Sequence, residues 1–398
     1  MRLDMKTLLA ATLLVASTTA ISLPVYAGDS DAQDSDAQNS DTRNSDVWKL
    51  FHGAPKIKDD DGNYWKFRGR ILWDVAALSE TPTGGIESNF EDTEFRAARI
   101  GVEGQYSNFK YKAEVDFGGG KTTATDVNLT WKGPLNVTVG QMKAGPTMEE
   151  TTSSRHTTFM ERGMITDAVG FDRRIGVNIG TSGKNYSLNG GVFGNSIDGA
   201  ADGKPTNTVW AARGTYTPIL EKDRIVHIGA SLRHTDRTLG GPKHSARWGS
   251  HLATEKIKPV VGDNALLFGL EAAAIMGPLH GHAEFIKEDG DLGSVDGGFI
   301  YGGYFLTGET RKYKASSGKF DRTKPLKPLS KGGMGGWEVA ARFDTLDARN
   351  AGDEKVDAWT VGLTWYPESH LRVKLNYTDA KGDLFSSKGL YTRLQIDW

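Results

Sequence analysis

From Tyr64 to the end of the chain one pattern repeats: roughly ten residues that alternate apolar and polar, a turn, then another such segment. The first segment sets the period. In YWKFRGRILWDVAAL, Trp65, Phe67, Ile71, Trp73 and Val75 fall on one face, while Lys66, Arg68, Arg70 and Asp74 fall on the other. The pattern predicts strands near residues 64–78, 93–106, 109–117, 124–132, 134–142, 172–181, 185–194 and 207–217. Eight more follow near 224–236, 263–277, 279–288, 297–308, 335–347, 356–366, 370–380 and 389–398. A period of two does not say which face meets water. A soluble sandwich turns the apolar face inward, whereas a transmembrane barrel turns it to lipid and keeps the charged face in its lumen.

The connections and the chain ends favour the barrel. The strand count is even, and short links (SN, KGP, SGK, GP) alternate with long ones over 79–92, 143–171 and 237–262. Outer-membrane barrels have this asymmetry, with short periplasmic turns and longer external loops. The final segment, GLYTRLQIDW, places Leu390, Thr392, Leu394, Ile396 and Trp398 on one face. It resembles the closing strands of outer-membrane proteins, whose terminal aromatic marks the chain for the barrel-assembly machinery. Residues 1–27 carry Arg2 and Lys6 ahead of an apolar stretch and end in Val25-Tyr26-Ala27, which reads as a signal peptide. Residues 28–47, a near-repeat of Ser, Asp, Ala, Gln and Asn, have almost nothing to bury and are expected to be a disordered acidic leader. Residues 48–398 are left for the barrel, and sixteen strands enclose enough space for an aqueous channel.

Composition narrows the class. Of 398 residues, 49 are glycine, 10 tryptophan, 12 tyrosine and 16 phenylalanine, as suits many turns and aromatic rims. Past the signal no apolar run reaches the length of about 18 residues that a transmembrane helix needs, which excludes a helical transporter. The absence of cysteine excludes disulfides, thiol catalysis and cysteine-ligated metals. Without signal and leader the formal charge is +2, so nothing global points to nucleic acid and any charge preference must be local.

Seven segments then look familiar. FRGRILWDVA, ETTSSRHTTFMERGM, FLTGETRKY, GKFDRTKPLKPL, GGWEVAARFDTLD, VGLTWYPE and the terminal LQIDW resemble, in this order, the phosphate-selective porin O and P family. The resemblance covers roughly residues 48–398. It implies a sixteen-stranded outer-membrane channel, a homotrimer narrowed by inward-folded loops and selective for anions in many members. It also implies that the unusually long periplasmic connection from Glu309 to Met334 folds back into the pore. That connection carries a charge of +6, including Arg311, Lys312, Lys324 and Lys327, and the loop from Arg237 to Gly262 carries +4. Inside a confined pore such charges focus the field and concentrate anions; on an exposed surface they would be merely solvated.

By the same resemblance, Ser153, Ser154 and Arg162 in the third external loop match positions that bind anion in phosphate-specific members. Two hydroxyls and a guanidinium suit a tetrahedral oxyanion. Arg155 in the loop and Arg68 and Arg70 on the charged face of the first strand complete the candidate constriction set. One position departs from the pattern: phosphate-specific members carry lysine three residues before the Ser-Ser pair, and here it is Glu150, a carboxylate that repels phosphate. The loop as a whole is nearly neutral.

Other signals are weaker. FGGGKT at 117–122 lacks the first glycine of a phosphate-cradling loop, since Val115 stands there, and no helical pattern follows. His280, His282 and Glu284 share a strand face without a fourth ligand for a metal. His156 lies near serines, but no motif aligns a base with a nucleophile. The expectation is an all-β, sixteen-stranded antiparallel transmembrane barrel with inward-folded constriction loops, in the outer membrane of a Gram-negative bacterium. It would pass small hydrophilic solutes by diffusion, with a modest preference for anions such as phosphate, and without cofactor, metal or catalytic residue. The alternatives are a phosphate- or polyphosphate-specific channel, an outer-membrane barrel enzyme and a structural barrel.

Overall fold

The computed structural model describes residues 54–145, 147–200, 208–236 and 244–398. The expected signal peptide and acidic leader lie outside the described residues, as do Arg237 and Lys243. Sixteen strands form the wall: β1 (Tyr64–Pro82), β2 (Ser88–Tyr106), β3 (Phe109–Asp116), β4 (Thr123–Lys132), β5 (Asn136–Lys143), β6 (Arg173–Ser182), β7 (Tyr186–Phe193) and β8 (Thr208–Leu220). They continue as β9 (Arg224–Asp236), β10 (Asn264–Met276), β11 (Leu279–Gly290), β12 (Ser294–Phe305), β13 (Gly336–Asp347), β14 (Lys355–Glu368), β15 (Leu371–Gly382) and β16 (Phe385–Asp397). Each pairs antiparallel with its sequence neighbours, and β16 closes on β1 from Phe385↔Pro82 to Asp397↔Arg70. Closure leaves no unpaired edge, as a lipid environment requires.

The wall is inside-out relative to a soluble protein. Along β9, Ile228 and Leu232 point outward and are about half exposed, while His227, Ser231, Arg233 and Thr235 are buried on the inner side. Along β16, Ser387, Tyr391, Arg393 and Gln395 are buried inside, and Ile396 is exposed outside. The apolar-out, polar-in alternation answers the ambiguity left by the period of two.

All sixteen predicted strands are present. The largest difference is at 79–92, where a long loop was expected. The strands instead run on past the apolar zone, so that Ala76–Glu80 pairs with Ser88–Asp92 and only five residues remain in the turn. The run from Ser79 to Asp92 is mostly polar, and the backbone ladder persists there without an apolar alternation. The chain closes on a steric match: Gly69 exchanges backbone hydrogen bonds with Trp398, and a Cβ on Gly69 would lie 2.2 Å from the tryptophan ring.

Two long connections pack against the inner wall. Residues 144–172 contain two short helices, α1 (Met148–Thr151) and α2 (Met164–Ala168). Met164, Ile165, Ala168 and Val169 join Trp248 and Ile257 of the loop after β9 in one apolar cluster with Leu267, Leu346 and Val356. The connection between β12 and β13 holds a small hairpin, Lys312–Lys314 paired with Lys319–Asp321. Arg213 of β8 donates to its Ser317 and Gly318 carbonyls, and Tyr313 meets Thr217 and His227. Its Phe320 packs with Phe159, Phe299 and Tyr301. Both segments therefore occupy the same half of the interior, against β8–β16.

Candidate functional site: a basic lumen beside the third loop

The remaining half, along β1–β6, is open as a cavity of about 1560 Å³. Its described lining carries fourteen lysine and arginine side chains against eight aspartates and glutamates. The charges are laid out in order. Glu103 pairs with Lys66 and Arg68; Glu114 lies among Arg68 (3.1 Å), Arg70 (3.5 Å) and Arg99 (3.5 Å); Asp116 pairs with Arg99 at 2.6 Å. Further round the wall, Asp126 is shared by Lys112 and Arg173. Together six cations, Lys66, Arg68, Arg70, Arg99, Lys112 and Arg173, face these four acids, so the excess positive charge is spread along the wall.

Polar side chains of the third loop face this wall. Arg70 Nη1 donates to Ser154 Oγ at 2.7 Å and reaches Ser153 Oγ at 3.5 Å, while Arg155 Nε lies 3.3 Å from Ser153 Oγ. Thus Ser153, Ser154, Arg155, Arg68 and Arg70 are brought together. Arg162 lines the same cavity but is engaged: it lies 2.8 Å from Glu150 and donates to the Glu149 and Thr152 carbonyls. The four cations of the periplasmic connection are placed elsewhere. Arg311 is buried against Glu338, Thr158 and the His156 carbonyl, and Lys312, Lys324 and Lys327 are exposed away from the cavity; Lys314 and Lys319 border it instead.

Glu150, the departure from the phosphate-specific pattern, bridges Lys143 and Arg162. Burial opposes its charge, but the two cations outweigh burial and hold its carboxyl below the usual range. Burial likewise opposes charge on Glu161, and Arg96 and Arg393 override it. Among the lining groups carried by the loops, burial, with Glu161 adding repulsion, pushes Asp167 up to about 6, and burial beside Lys314 pulls Lys319 down to about 8.

The backbone of the loop faces the opposite wall. In α1, the Met148 and Glu149 N–H groups donate to Glu271 and Glu284, each at 2.7 Å, which satisfies two donors a short helix leaves free. From Arg155 to Arg162, the carbonyls accept from Gln395, Arg311, Lys374, Arg393 and Arg342.

Some lining residues escaped the strand pattern. Arg96 and Arg99 are three apart, so strict alternation would separate them. A bulge at Arg96 of β2, the extra residue opposite the step from Leu72 to Trp73 of β1, turns both guanidiniums inward. Arg99, Lys112 and Arg173 were readable only as inward positions of strands whose neighbours were not yet known. The weaker motifs resolve locally. Gly118–Gly120 is a single turn in an external hairpin. His280 lies 2.9 Å from Glu338 and His282 3.1 Å from Glu284, and among the described residues no group of three or more His, Asp or Glu is placed to hold a metal. His156 directs Nδ1 to Asp321 at 3.4 Å, and burial together with Arg372, Arg155 and Arg322 keeps it neutral.

A closed sixteen-stranded barrel with an apolar outer wall and a charged, loop-narrowed interior has the architecture of an outer-membrane channel. The chain belongs to the phosphate-selective porin O and P family, whose model matches residues 66–389. It is similar to an uncharacterized protein of Caulobacter vibrioides, at 33% identity over 83% of this chain and 70% of that one. It is also similar to Porin O of Pseudomonas aeruginosa, at 25% identity over 76% of this chain and 81% of that one. Among solved structures, the anion-selective porin from Comamonas acidovorans shares the fold with a TM-score of 0.53 and 14% identity, over 84% of this chain and all of that one. The protein is an outer-membrane porin of a Gram-negative bacterium.

Proposed function

We propose that this porin passes small hydrophilic anions by passive diffusion along the β1–β6 side of its lumen, with phosphate one solute among several. The excess of basic over acidic side chains in the lining carries this reading, concentrated where Arg68, Arg70 and Arg99 stand opposite Ser153, Ser154 and Arg155. In a narrow pore these cations substitute for part of an anion's hydration, while interleaved acids keep binding weak enough for release. The names Porin O and anion-selective porin support the same direction.

Arg162, which a phosphate-specific site would keep free, is held with Lys143 by Glu150, and this favours a general anion preference over phosphate specificity. The same contacts support conduction rather than turnover, since the Ser153 and Ser154 hydroxyls engage arginines rather than a base. Family membership supports assembly as a homotrimer, after folding by the barrel-assembly machinery. The test is the reversal potential of purified channels in a planar bilayer under a potassium chloride gradient, followed by phosphate titration. A potential on the chloride side with weak phosphate block supports the proposal. A potential at zero or on the potassium side overturns it, and strong saturable block would establish the phosphate-specific alternative.

A further inference from the structure

The carbonyls of residues 155–162 are held by five side chains of the opposite wall and turn, and four of these have a second commitment. Arg311 pairs with Glu338, Arg342 with Asp344, and Arg393 with Asp74 and Glu161, while Gln395 also donates to Asp397. Lys374 differs. It is fully buried on β15, and among the described residues no carboxylate lies in ion-pair range of it. Its Nζ meets three oxygens, all from the loop: Thr157 O at 2.7 Å, Phe159 O at 2.9 Å and Thr157 Oγ1 at 3.1 Å. Its charged neighbours are mainly other cations, Arg372, Arg393 and Arg311, with Glu338 the carboxylate that acts on it from beyond ion-pair range.

The dependence is mutual. A buried polar nitrogen without acceptors and a buried Thr157 carbonyl without a donor are each costly, and both costs are avoided while the loop stays against β15; the Phe159 carbonyl also accepts from the Thr157 hydroxyl at 2.9 Å. The other four contacts can let go of the loop and keep a partner; this one cannot. We propose that Lys374 is the positioning residue that pins the third loop to the far wall. By fixing the backbone of Thr157–Phe159 there, it holds Ser153, Ser154 and Arg155 at the opposite side and so sets both the bore and the discrimination of the pore. This rests on the anion-channel reading for the second effect and is independent of it for the first.

The variant Lys374→Met removes the donor at similar volume and strands no carboxylate. Barrel integrity is read from heat-modifiable electrophoretic mobility. The single-channel conductance is expected to rise about two-fold with added open-channel noise as the loop leaves the wall, and the reversal potential to move towards zero. Lys374→Arg, whose guanidinium can serve both carbonyls, is expected to restore wild-type values, and Lys374→Gln, with one short donor group, to fall between. Wild-type conductance and potential in a well-folded Lys374→Met barrel overturn the proposal, and so does a Lys374→Arg channel as altered as Lys374→Met. Should the methionine barrel fail to fold, Lys374→Gln decides: a conductance equal to wild type overturns the pin. A wild-type potential near zero sinks the anion reading, while the conductance comparison still decides the pin.

Discussion

Glu150 shows how a single side chain is misread when its neighbours are unknown. In the sequence it stands where phosphate-specific relatives carry lysine, and it looks like a repulsive charge in the constriction. In the fold it is a bridge, held by Lys143 and Arg162, and what it does is occupy two cations. Glu150→Lys would release Arg162 and add a third positive group beside Ser153 and Ser154. The concentration of phosphate that halves the chloride current is expected to fall about tenfold, equivalent to about 1.4 kcal/mol of added anion binding. Phosphate titration of single channels checks this, and an unchanged half-blocking concentration would mean that Arg162 remains tied to the Glu149 and Thr152 carbonyls. The candidate residues at the loop tip were legible because motif and chemistry coincided at Ser153, Ser154 and Arg155. Arg96 and Arg99 were not, because the bulge that turns both inward falls at Arg96 itself and is defined only by its pairing with Leu72 and Trp73.

At the scale of elements, alternation found every strand because each must offer lipid an apolar face, but it lost the strands where they leave the membrane, as at 79–92. The inward turn of the β12–β13 connection was legible only from its length and the family resemblance, since alternation says nothing of loops. Its charge proved a poor guide to its role. Of its eight cations only Lys314 and Lys319 border the cavity, alongside Asp321, whereas Arg311 and Phe320 serve to back the third loop. Replacing residues 310–333 by a short turn would therefore remove support more than charge. The lining would still hold twelve basic against seven acidic groups, so conductance is expected to rise while the reversal potential stays on the chloride side. A potential that collapsed to zero in this variant would show that the turn carries the anion field after all.

For the whole molecule the lumen behaves as one charge distribution, and two groups carried by its loops make that distribution depend on pH. Asp167 in the third loop is pushed up to about 6, and Lys319 in the periplasmic connection is pulled down to about 8, in both cases chiefly by burial. Between pH 8 and pH 5 Asp167 takes up a proton and the lining loses a negative charge. Between pH 7 and pH 9 Lys319 gives up a proton and the lining loses a positive one. Both changes have the same sign along the pH axis, so preference for chloride over potassium should be greatest near pH 5 and decline steadily towards pH 9. Because the net excess in the lining is only six charges, the gain or loss of one is a sizeable fraction of the field. Reversal potentials across this range measure it, at high enough salt to screen charges outside the pore. Asp167→Asn should flatten the acid limb and leave the alkaline one, and Lys319→Met the reverse. If each limb survives the loss of its residue, the titration belongs to other groups and the two shifts have no part in selectivity.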